Sequence, residues 1–213
     1  MEQPRVISIN VGQLGPNPNG YEEFTAIRKK PVEGAVQITA PGWGGSGLGG
    51  DVIADGRNHG GPDRAVYIYA REDLDAWEQK KGITIPNGKF GENLTTVGID
   101  GNEALVGEEW RIGDEVVLQV TCPRIPCSVF AGELTGPTWI KEFTVEGKPG
   151  PYLRVVQPGE IRTGDPIEVV FRPDHELTIA TLFRIKTTQK NRRRELLQAA
   201  DYLPENYLAF ANE

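Results

Sequence analysis

Leu118-Gln-Val-Thr-Cys-Pro-Arg-Ile-Pro-Cys127 fixes how the chain is read. It ends an apolar strand predicted over residues 116–121, and it holds both cysteines of the protein. Pro123 and Pro126 fix their own φ and push Cys122 and Ile125 toward extended geometry. The peptide is therefore stiff, which suits a thiol that must be aimed. A thiol reacts and ligates as the thiolate, and a nearby cation favours that form. Arg124, three residues before Cys127, can supply the charge. The plain alternative is a turn after a strand with two buried cysteines, since free cysteine often packs as a small hydrophobe.

Outward from this run the pattern is short β-like segments. Residues 5–11, 35–39, 64–69, 104–106, 152–157 and 167–172 read as further strands; 64–69 (Arg-Ala-Val-Tyr-Ile-Tyr) is the strongest, rich in β-branched and aromatic residues. Gly113-Asp114 and Gly164-Asp165 mark turns just ahead of strands. Residues 12–22 read as loop, and Pro41–Gly50 carries six glycines, a flexible or close-approach segment. Residues 71–81 read as a helix: acids crowd its start, lysines its end, and Gly82 stops it. After Pro173 the character changes. Residues 177–186 have a helical apolar stripe that needs a packing partner. Residues 191–200 are a second helix candidate, and Pro204 can open a third. The expected architecture is a mainly β body over residues 1–172 with a small helical tail over 173–213.

Composition sets the outer limits. The 213 residues are 38% hydrophobic and 25% charged, ordinary for a globular chain. Glycine (26) and proline (16) sit mostly between the β-like runs, which favours an all-β barrel or sandwich over a βαβ fold. No stretch approaches the roughly 20 apolar residues of a membrane helix, and the first residues lack a signal-peptide pattern. The cytoplasm is the expected location, and two cysteines five positions apart fit a reducing compartment. A net charge of −7 argues against a whole-protein grip on a nucleic-acid polymer.

Three other runs can carry chemistry. His59-Gly-Gly-Pro-Asp-Arg64 precedes the strongest strand. Gly60 and Gly61 can let backbone N–H groups approach an anion, and Arg64 can grip a carboxylate or phosphate bidentately. A glycine turn with incidental polar neighbours is the simpler reading. Phe90-Gly-Glu-Asn-Leu-Thr-Thr96 places Asn93 and Thr95 beside a glycine, either for a ligand or to cap local turns. Arg28-Lys29-Lys30 is either a solvated basic surface or the rim of an anion site. No zinc-like spacing, Walker loop, dinucleotide fingerprint or Gly-x-Ser-x-Gly elbow is present.

Taken in order, these runs resemble the MOSC domain, named after the C-terminal part of molybdenum cofactor sulfurases. The matching stretches are Val6–Val11, Gly50-Asp51, His59–Tyr67, Phe90–Thr95, Gly113-Asp114, Leu118–Cys127, Tyr152–Val155 and Gly164-Asp165. The tail resembles the three-helix extension of the stand-alone, YiiM-like bacterial branch. The resemblance implies a β-barrel with few helices and a molybdopterin-type molybdenum cofactor whose metal is ligated by Cys127. It implies reduction of N-hydroxylated compounds such as 6-hydroxylaminopurine. His59, Arg64, Asn93 and Arg124 would line the pocket, with Gly60, Gly61 and Thr95 in the loops that cradle the cofactor. Arg28 and Lys29 would help neutralise the pterin phosphate. Three features depart from the pattern: Cys122 stands where many relatives have Gln, Ser128–Gly132 lacks the usual Trp/Tyr-Lys-Leu, and the glycine segment at 41–50 is long.

Two functions follow as expectations. In the first the chain is a molybdoenzyme: His59, which titrates near neutral pH, gives a proton, and electrons come from a separate reductase. The cysteine count leaves no room for a four-thiolate iron–sulfur cluster in the chain itself. In the second Cys127 carries sulfur as a persulfide, with Cys122 able to release it, or the domain stores and delivers cofactor. A homodimer is left open, because the tail could pack on its own body, on a second copy or on the reductase.

Overall fold

The computed structural model describes residues 3–19, 22–134, 136 and 138–213. The strands are Arg5–Val11 (β1), Gly15–Pro16 (β2), Phe24–Thr25 (β3), Lys30–Val32 (β4), Val36–Ile38 (β5), Val66–Ala70 (β6), Leu94–Val97 (β7), Glu109–Ile112 (β8), Val116–Pro123 (β9), Pro151–Gln157 (β10), Gly159–Ile161 (β11) and Ile167–Phe171 (β12). The α-helices are Gly56–His59 (α1), Arg71–Lys81 (α2), Ser128–Glu133 (α3), Trp139–Glu146 (α4), Ile179–Thr187 (α5) and Glu205–Asn212 (α6). The expected strand at 104–106 shrinks to one bridge, Leu105 to Thr178.

Eight strands share a sheet in the order β12-β8-β9-β10-β6-β7-β1-β4. Every neighbouring pair is antiparallel except β6 and β7. A parallel pair cannot be joined by a hairpin, and the crossover runs through α2. Strand β6 is buried along its whole length, which is why its sequence is apolar without alternation. Helix α2 occupies the predicted span and stops at Gly82, whose φ of 65° is left-handed and whose N–H bonds to the Glu78 carbonyl.

The sheet does not close into the expected barrel. It curls until the lead-in to β12 reaches β1, where Arg5 bridges Pro166 and the Val6 N–H bonds the Asp165 carbonyl at 3.0 Å. No ladder forms there among the described residues. β4 already takes the far half of the same β1 edge, with Ile9–Val11 opposite Lys30–Val32.

The core has an aromatic centre. Trp77 of α2, Phe130 of α3, and Trp139 and Phe143 of α4 pack around Tyr69 and Phe90, with ring centroids 5.1–6.4 Å apart. Aromatic pairs at such separations add to ordinary burial. Helix α5 lies against β9; its Leu182, Phe183 and Ile185 are fully buried, and Phe183 meets Phe143. The apolar stripe read in the tail is therefore covered by the chain's own sheet. The helix candidate read over residues 191–200 is a 3-10 helix, Lys190–Ala199.

Candidate functional site

The site begins where β9 ends. Pro123 faces Pro151 across the β9–β10 ladder. Neither can donate, so regular pairing stops. One last bond runs from the Arg124 N–H to the Gly150 carbonyl at 3.2 Å. The chain then turns through Ile125 and Pro126 into α3. Cys127 sits at the N-cap in an extended conformation, and its carbonyl accepts from the Ala131 N–H at 3.1 Å.

Cys127 lines a cavity of about 270 Å³. Arg124, His59, Tyr152, Asn93 and Lys29 line the same cavity. The rest of the wall is largely apolar, with Phe24, Ile27, Ile53 and Val129. Segments distant in sequence, from Asn17 to Tyr152, thus meet at one cavity.

Arg124 is 3% exposed. Its guanidinium lies over Phe130 (4.8 Å) and Tyr67 (5.7 Å). Nη1 donates to the neighbouring Ile125 carbonyl at 3.2 Å, and the buried Nε has no partner. No carboxylate pairs with it among the described residues. A buried, permanently charged group without a counter-ion is costly unless something fills that role.

Lys29 is the opposite case. Its Nζ lies 2.5 Å from Asp51, and both side chains are almost completely buried, at 5% and 0% exposure. Asp51 also accepts from the Gly12 N–H (2.6 Å), Ser46 Oγ (2.6 Å) and Asn93 Nδ2 (2.9 Å). Asn93 Oδ1 accepts from the Tyr67 N–H at 3.0 Å. Asp51 therefore neutralises Lys29 and holds Asn93 rigid, which leaves Arg124 as the buried cation of the wall without a carboxylate partner among the described residues; Glu22 and Asp55 also line the cavity.

His59 ends α1, half-buried, with Nδ1 3.3 Å from the Tyr152 hydroxyl. Burial, reinforced by the Arg124 and Arg64 cations, pushes its pKa down to about 4. The imidazolium assumed for a proton donor is therefore not its resting form near neutral pH. Burial raises the Tyr152 phenol to about 12, so its proton stays on. Beneath the wall, burial lifts the Glu92 carboxyl to about 7, although it accepts from the Gly88 and Phe90 N–H groups and from Thr95 Oγ1.

The structure brings together Lys29, His59, Asn93, Arg124 and Cys127, and leaves the other candidates outside the wall. Arg28 forms an ion pair with Glu133 at 2.6 Å. Thr95 is buried between Asn10 and Glu92. Gly60 and Gly61 serve loop packing. A Cβ on Gly60 would lie 2.4 Å from the Gly44 carbonyl oxygen, and the Gly61 N–H is spent on the Gly45 carbonyl. The long glycine segment is thus a close-approach loop against His59–Gly61. Arg64 lies behind the wall, near enough to act on His59 and Cys122. Cys122 is fully buried on β9 and meets Tyr207 of α6, away from the cavity.

The reading from sequence omitted Tyr152 and Asp51 from the site. Tyr152 was visible only as the first residue of the matching stretch Tyr152–Val155. Asp51 was visible only as a member of a matching run, because its buried partner lies 22 positions away. Among the described residues no group of three or more His, Cys, Asp or Glu could hold a metal. What the site offers is one thiol and one guanidinium without a carboxylate partner among the described residues, with the Glu22 and Asp55 carboxylates also on the wall. That donor set fits an anionic cofactor that brings most of its own metal ligands.

Residues 55–168, over half of the chain, match the MOSC domain, and the chain belongs to that family. It is 33% identical over 188 residues to the uncharacterized protein YflK of Bacillus subtilis, covering 87% of this chain and 82% of that one. A Gibberella moniliformis protein named "Reductase" is 28% identical over 183 residues, which cover 84% of this chain but only 32% of that longer protein. The crystal structure of YiiM from Geobacillus stearothermophilus superposes with a TM-score of 0.78 at 27% identity, covering 98% of this chain and 97% of that one. The chain thus falls in the stand-alone, YiiM-like branch.

Proposed function

We propose that the chain binds the molybdenum cofactor and reduces N-hydroxylated compounds, 6-hydroxylaminopurine among them. The observation that carries this reading is the buried Arg124 guanidinium, unpaired by any carboxylate among the described residues, in the same cavity as the Cys127 thiol. When bound, the cofactor supplies a two-electron metal centre able to take an oxygen atom from nitrogen. Cys127 would ligate the metal, a soft donor suited to it. Arg124 would pair with the cofactor's anionic group through its fork of N–H donors. Asn93, held by Asp51 and the Tyr67 amide, keeps a fixed polar edge beside it. Phe24, Ile53 and Val129 give a flat organic substrate an apolar face and keep water away from it.

The chain shows no flavin or iron–sulfur motif, so electrons would come from a separate reductase, and a reducing cytoplasm suits two free thiols. The fungal relative's name and extra length agree with a reductive role. The test is turnover: load the protein with cofactor, add a chemical reductant and follow loss of hydroxylaminopurine. Wild type consumes it and Cys127→Ser does not. Absence of turnover at verified one-to-one molybdenum would instead support a sulfur or cofactor carrier.

A further inference from the structure

Tyr152 has one hydrogen-bond partner for its hydroxyl among the described residues, His59 Nδ1 at 3.3 Å. Its neighbour Tyr67, whose ring lies 5.1 Å away, spends its own hydroxyl on the Pro149 carbonyl. The two phenols are therefore not interchangeable: Tyr67 ties a loop, and Tyr152 points its polar atom at the imidazole. A buried O–H needs an acceptor. Among the described residues the acceptor within reach is the Nδ1 lone pair, and a Tyr152 O–H donating to it requires the ring's own proton on Nε2. No described side chain or carbonyl partners Nε2.

We propose that Tyr152 is a positioning residue that holds His59 in the Nε2–H tautomer, leaving one free N–H at the cavity wall as a hydrogen-bond donor to the bound ligand. Its importance for turnover rests on the reductase reading; the tautomer itself does not. The groups that face His59 agree with a neutral ring. Arg124 and Arg64 oppose a charge on it, and Asp55, which favours one, already accepts from the Asn58 N–H and Nδ2 at the start of α1. With the ring neutral and its orientation fixed at both ends, by α1 and by Tyr152, the N–H needs no reorganisation to meet an oxygen in the cavity. This differs from the proton-donor role given to His59 on sequence grounds: the nitrogen lends a hydrogen bond and keeps its proton.

The measurement is side-chain 15N–1H correlation spectroscopy of histidine-labelled protein near neutral pH, with molybdenum content recorded. A His59→Gln sample separates His59 from His175. Wild type is expected to show His59 with a bare Nδ1 and a protonated Nε2 as the sole form. In Tyr152→Phe, which keeps a ring against Tyr67, the Nδ1–H form should rise to a clearly detectable minor population. A wild-type ring protonated on Nδ1, or a Tyr152→Phe spectrum identical to wild type, overturns the proposal. Should the variant not fold, the wild-type spectrum still decides. Turnover plays no part in this readout, so failure of the reductase assay and failure of the tautomer assignment are separate results.

Discussion

The aromatic core and the thiol cavity share a wall but follow opposite rules. Phe130 belongs to both: one ring contact joins it to Phe90 and Phe143, another to the Arg124 guanidinium. On the core side every polar tip has a partner. Trp77 Nε1 donates to Tyr69, Trp139 Nε1 to the Leu134 carbonyl and Tyr69 to the Lys148 carbonyl. On the cavity side the Arg124 Nε is orphaned and its charge unanswered. Arg154 Nε and Arg193 Nε are orphaned too, but of the three arginines only Arg124 is fully buried, and it faces a cavity where a ligand can complete it. The contrast also separates two buried cations within the cavity: Lys29 is answered by Asp51 and serves the fold, while Arg124 remains for something else.

The largest effects should come from the cavity and fall on binding. Cys127→Ser or Arg124→Met should bring bound molybdenum to background, read by metal analysis, with circular dichroism unchanged. The core should show the reverse. Phe143→Ala should cost about 3–5 kcal/mol in urea unfolding, while metal occupancy of the folded fraction stays at the wild-type level. Asp51→Ala breaks a buried pair and strands Lys29, at a similar cost of about 3–5 kcal/mol. The double variant Asp51→Leu/Lys29→Met should recover most of that loss, which would mark the pair as structural.

A smaller effect should appear with pH. The Glu92 carboxyl is raised from 4.5 to about 7 in the fold, so the native state holds a proton that the unfolded chain has released. Its contribution is fully present below about pH 4.5 and is lost as pH rises through 7, of order 3 kcal/mol in total. Unfolding free energies of wild type and Glu92→Gln across that window should diverge with this sign. His59, whose pKa is lowered, adds an opposite slope between about pH 4 and 6.5. The comparison is therefore sharpest between wild type and the single variant. The smallest effect belongs to Arg28→Gln, at 43% exposure and already paired with Glu133. It should change stability by under about 1 kcal/mol and leave metal occupancy alone.

How much of this was legible in the chain follows the range of the interaction involved. Helix α2 was readable to the residue because its signals are local: acids first, lysines last, a left-handed glycine after. The stiff Pro-Arg-Ile-Pro-Cys run led directly to Arg124 and Cys127 for the same reason. Barrel closure was misjudged because it depends on whether β12 and β1 can share a full edge, and β4 decides that at long range. Gly60 and Gly61 looked like an anion cradle, but their open space is filled by Gly44 and Gly45. Arg28 and Lys29 look alike in sequence; only their distant partners, Glu133 and Asp51, show that neither charge is free.

The most direct test of the central claim is molybdenum per chain, measured on protein freshly purified from a host that makes the cofactor, for wild type, Cys127→Ser and Arg124→Met. The account predicts one-to-one metal in wild type and background in both variants. Metal retained undiminished in both variants, or absent from wild type under those conditions, would contradict it.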